Sequence, residues 1–167
     1  MHKNVLSEIA LYYGDVSMPK GWAIDREKIK EDILFSNIKK TKLPFSKPWD
    51  ILNTYLREHF FLEYKFTLVN KESWGDMYKP QETSIPLRNV DPLDLKNAPD
   101  FTMLYGVSVK DCFVRIFYDD NRRAGRSWDI PLINNRYLIF PSTNIYCISN
   151  KQKDSLNFVQ TTTYEFI

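Results

Sequence analysis

Apolar positions along the chain change their period after Leu62. Before that point, Ile9, Leu11, Tyr12, Tyr13 and Val16 make residues 7–18 read as a strand, broken at Met18-Pro19-Lys20-Gly21. Asp25 then stands as an N-cap for a helix over residues 26–37, with Ile29, Ile33, Leu34 and Ile38 as its apolar stripe. Lys28, Lys30, Glu31 and Lys39 are expected to face water, and Lys39-Lys40-Thr41-Lys42 reads as a short basic loop. A second helix is predicted over residues 48–62, with Pro48 suited to its first turn.

From Glu63 onward the alternation is that of strands. Short strands are predicted at residues 63–69, 74–78, 101–109, 112–118, 127–132, 137–140, 145–149 and 156–166. Turn-forming residues separate them: Asn70-Lys71-Glu72, Asp119-Asp120-Asn121, Asn134-Asn135 and Ser149-Asn150-Lys151. Helices followed by a run of evenly spaced strands predict an α+β fold with a sandwich or jelly-roll body. A chain of 167 residues without a long linker or a repeat is expected to be a single domain, with residues 1–62 as the N-terminal strand and helices and 63–167 as the body.

Composition then removes several function classes. Lys+Arg 23 against Asp+Glu 21 leaves a net charge of +2, too balanced for a general polyanion binder. No apolar run reaches the length of a membrane span, and the first residues lack the apolar stretch of a signal peptide. A soluble, intracellular globular domain is therefore expected. Cys112 and Cys147 are too few and too far apart for a disulfide scaffold or a cysteine metal site. Only two histidines occur, His2 near the first residue and His59 in the second helix, so most histidine-dependent relays and metal sites cannot be assembled.

Four stretches of the chain carry a resemblance. They are Ala10-Leu11-Tyr12-Tyr13-Gly14 with Trp22-Ala23-Ile24-Asp25, then residues 74–83, then Arg136-Tyr137-Leu138-Ile139-Phe140-Pro141-Ser142, and Leu156-Asn157-Phe158-Val159. Together they resemble the small phage and bacterial Fe(II)/2-oxoglutarate-dependent oxygenases. The resemblance implies a double-stranded β-helix, a cupin-like jelly roll, with the N-terminal strand and two helices packed on it. Tyr118-Asp119-Asp120-Asn121-Arg122-Arg123 and Gly125-Arg126-Ser127-Trp128-Asp129-Ile130-Pro131-Leu132 are similar in wording to uncharacterised proteins of marine T4-like phages.

The resemblance also implies where iron ligands belong. A His-x-acid pair would fall within residues 85–89, where this chain has Leu87 and Asn89. The distal histidine position falls on Tyr146, and the basic residue for 2-oxoglutarate would lie near Lys153-Asp154-Ser155, at the entrance to the last strand. Leucine has no donor atom and an asparagine amide is a weak ligand for iron. The expectation is a degenerate member of the family without cofactor or catalytic residues. The alternative is an active oxygenase using Fe(II) and 2-oxoglutarate, with His2 or His59 joined by Asp76, Glu82 or Asp91. A third option, a metal-free sugar-nucleotide enzyme on a jelly roll, would have to rely on His59.

Other clusters point to binding. Asp119, Asp120, Arg122, Arg123 and Arg126 form the densest charged cluster, in which guanidiniums could grip a carboxylate or phosphate, or could decorate a hydrated hairpin tip. Lys39 to Lys42, Lys47 and the arginines lack the interleaved aromatics of single-strand binders, which argues against a nucleic-acid partner. Residues 91–100, bracketed by prolines, read as a structural loop, and Tyr105, Tyr118, Tyr137, Tyr146 and Tyr164 as either cavity lining or jelly-roll filling. The apolar last strand leaves burial in the domain or against a partner open, self-association included. These features favour a non-catalytic phage protein of binding or virion assembly. Its partner would be a viral or host protein, and its location the host cytoplasm or the virion, without a membrane.

Overall fold

The structure is a computed structural model that describes residues 1–5, 8–40, 46–120 and 123–167. Its elements are β1 (Tyr12–Asp15), α1 (Arg26–Lys39), α2 (Lys47–Tyr64), β2 (Leu68–Tyr78), a 3₁₀ turn (Leu95–Asn97), β3 (Phe101–Ser108), β4 (Cys112–Tyr118), β5 (Arg126–Leu132), β6 (Arg136–Pro141), β7 (Ile145–Asn150) and β8 (Asn157–Phe166). Five strands form one antiparallel sheet in the order β1-β6-β3-β8-β2, and three form a second in the order β5-β4-β7. The bridges Thr83↔Ser149 and Leu87↔Tyr146 lay the segment after β2 along the other side of β7. Strands thus alternate between two facing sheets, as in a double-stranded β-helix, and the α+β architecture follows. No helix among the described residues is long and apolar enough to cross a membrane.

Two apolar layers hold this together. The five-stranded sheet packs one face on the helices through Ile29, Ile33, Leu52, Leu56, Met103 and Tyr105, among others. Its other face meets the three-stranded sheet through Leu104, Val114, Ile116, Leu138, Ile148 and Val159. The period of two in each strand sends alternate residues into the two layers, so Met103 and Leu104 belong to different cores.

Local chemistry fixes the helix ends. The Asp25 carboxylate accepts a hydrogen bond from Lys28 N at 3.1 Å, closing the first turn of α1. Lys40 and Lys65 end the two helices in the left-handed conformation, at φ 53° and 62°. Thr41 and Lys42 of the expected basic loop lie outside the described residues.

Three expectations are corrected. Residues 63 and 64 continue α2 instead of opening a strand, because Tyr12 packs on Phe60 and Tyr64, one turn apart, with ring centroids at 4.9 and 4.6 Å. The expected turn at Asn70-Lys71-Glu72 is a β-bulge inside the single strand β2, which the long partner β8 templates on both sides. The buried face of α1 is Ile29, Asp32, Ile33 and Ser36, while Leu34 and Ile38 are exposed. Ile33 sets this rotation. It lies so close to Gly75 that a Cβ there would be 2.3 Å from Ile33 Cγ1, and Asp32 is drawn in with Lys28 at 2.9 Å.

Candidate functional site

The turn from β6 to β7 and the ends of β3, β4 and β5 surround one end of the barrel. Leu87, Asn89 and Tyr146 meet there. Leu87 and Tyr146 exchange both backbone hydrogen bonds, at 2.9 and 3.0 Å, so their side chains stand on the same face. Asn89, two residues on, shares that face. Its amide donates to the Tyr146 hydroxyl and to Thr102 Oγ1, both at 3.1 Å, and Thr102 Oγ1 lies 2.9 Å from Ser142 Oγ. Tyr146 is buried and packs edge-on against Phe140, with centroids 5.2 Å apart. Burial pushes its phenol up to about 12, although the Asn89 hydrogen bond pulls the other way. The arrangement is a plug: an apolar pair capped by neutral hydrogen bonds running from the segment after β2 to β3 and the β6–β7 turn.

These residues do not fit Fe(II) and 2-oxoglutarate. Leu87 offers no donor atom, the Asn89 amide nitrogen is committed to two acceptors, and the Tyr146 phenol is held neutral. Among the described residues no three His, Cys, Asp or Glu side chains converge as metal ligands. Lys153 and Asp154 are exposed before β8, and β8 begins at buried Asn157. The Asn157 amide bonds both the N–H and the carbonyl of Lys110, at 2.9 and 3.1 Å, and ties the two loops of the closed end together.

The alternative constellation is not assembled. His59 stacks on Tyr55 along α2, on the far side of the five-stranded sheet from the barrel interior, and His2 is exposed. Glu82 accepts from Lys79 N in the turn at the closed end, and Asp91 caps Leu93 N at 2.8 Å on the rim. Asp76 does enter the barrel, on β2 opposite Val159, and accepts a hydrogen bond from the Trp74 indole at 3.1 Å. Burial raises its carboxyl above the usual carboxylate range. Asp76→Asn keeps an acceptor for Trp74 and removes the burial penalty of the anion. It should raise the thermal midpoint at pH 7, by a margin that shrinks as the pH falls through the Asp76 pKa and the wild type takes up its proton.

The charged cluster forms the tip of the β4–β5 hairpin. Asp119 accepts from Gly125 N and Asp120 from Arg123 N, both at 2.7 Å, and Asp120 pairs with Arg126. The acids thus brace the loop's own backbone more than they aim guanidiniums outward. Arg123 is exposed, and Arg122 lies outside the described residues. The proline-bracketed loop is braced in the same way, with Asp94 bonded to Asn97 and Asp100 to Phe166 N at 3.0 Å. Of the five tyrosines considered as cavity lining, Tyr105, Tyr137 and Tyr164 are buried in the helix–sheet layer, Tyr146 in the plug, and Tyr118 stands on the rim.

Two open spaces flank the plug. One, of about 410 Å³, lies beside Trp74, Arg88, Asn89, Asp91 and Thr163. The other, of about 350 Å³, lies between β1 and β5 and reaches Asn144. Asn144 and Trp128 at this second space escape sequence reasoning, because only the closure of the two sheets brings them to the N-terminal strand.

No protein-family model and no curated protein matches the chain. Solved structures do. A prolyl-4-hydroxylase of Pseudomonas putida superimposes with a TM-score of 0.61 at 10% identity, over 84% of this chain and 80% of that one. The non-heme alpha ketoglutarate dependent carbocyclase SnoK of nogalamycin biosynthesis gives 0.65 at 8% identity, over 94% and 79%. A Trichoplax adhaerens prolyl hydroxylase in complex with a hypoxia inducible factor peptide fragment gives 0.61 at 10%, over 93% and 83%. At such identities the likeness is one of fold: the chain has the jelly roll of the 2-oxoglutarate oxygenases.

Proposed function

We propose that the chain is a non-catalytic binding protein on an oxygenase frame, of phage origin, acting in virion assembly or engaging a host component. The observation that carries this is the plug. At the positions where the resemblance puts iron ligands, Leu87, Asn89 and Tyr146 satisfy one another, and a metal would have to break those contacts to enter. The phage origin rests on the wording of residues 118–132, and with it go a viral or host protein partner and a place in the host cytoplasm or virion. On this reading the Asp119–Arg126 tip, presented on a braced backbone, makes the contact, and no cofactor takes part.

Thermal unfolding under anaerobic conditions with Mn(II), with and without 2-oxoglutarate, tests it. A site that binds its ligand in hundredfold excess over Kd gains about 2.7 kcal/mol, worth roughly 5–11 °C in a chain of this size. The expected change is below about 1 °C with either addition. A metal-dependent rise that grows with 2-oxoglutarate would overturn the proposal.

A further inference from the structure

We draw no further inference here: the strongest candidate, the exposed apolar face of α1 at Leu34, Phe35 and Ile38, carries none because nothing in the structure shows what covers it.

Discussion

Replacing Gly106 with alanine should cost at least about 3 kcal/mol and leave much of the chain unfolded at 37 °C, the upper end of what overpacking does. Gly106 sits in β3, in register with Val159 of β8, and its carbonyl accepts from Asn135 N at 2.8 Å. A Cβ there would lie 2.1 Å from the carbonyl oxygen of Ile133 and 2.9 Å from its carbon. Backbone cannot swing aside as the tip of a side chain can, so either β3 or the β5–β6 turn must shift. Gly125→Ala is the fitting comparison: nothing lies within 4 Å, and only its φ of +73° opposes a side chain, at about 1 kcal/mol. Urea denaturation of both variants measures the difference. A Gly106→Ala midpoint close to that of the wild type would contradict the packing described at this turn.

Raising the pH should unfold the protein cooperatively between about pH 10 and 12, and the buried tyrosines are the reason. Burial pushes the phenols of Tyr137 and Tyr146 up to about 12, and those of Tyr78, Tyr105 and Tyr164 are raised as well. In the unfolded chain tyrosine loses its proton near pH 10. Above that point the folded state holds more protons than the unfolded one, so stability falls with each further step in pH. The stability tied to these groups is intact below pH 10 and is lost as the pH climbs through the folded-state values. For Tyr146 alone the change amounts to about 2.7 kcal/mol, at roughly 1.36 kcal/mol per pH unit. Near-ultraviolet phenolate absorbance and far-ultraviolet circular dichroism should change together. Full ionisation of the tyrosines with the strands intact would show that these phenols are not buried as described.

Much of the body was legible because each strand carries its own signal. Cys112, Val114 and Ile116 alternate with Phe113, Arg115 and Phe117, and β4 occupies the predicted residues. Where a residue's fate depends on a distant partner, the sequence misleads. Leu34 and Ile38 suit an apolar stripe as well as Asp32 and Ser36 do not, yet the bare backbone at Gly75 seats Ile33 and turns the helix the other way. Asn70-Lys71-Glu72 has turn composition, but a ten-residue partner strand absorbs it as a bulge. At the site, the positions of Leu87, Asn89 and Tyr146 follow from a resemblance to a fold. Their mutual hydrogen bonding, and the part played by Thr102 and Ser142, do not. Asn144 carries no signal in sequence, since an asparagine in a turn is the commonest of turn residues.

The order of strands in the larger sheet has a bearing on how the chain comes together. Among the described residues the edge strand β1 pairs with β6, and the edge strand β2 with β8, each a partner from much later in the chain. α1 and α2 precede in the chain every strand of the sheet that covers their apolar faces except β1. Contacts between such distant parts of a chain form slowly, because a large loop must close before any of them is rewarded. The sheet that covers the helices is therefore complete only when β6 and β8 have joined strands far earlier in the chain.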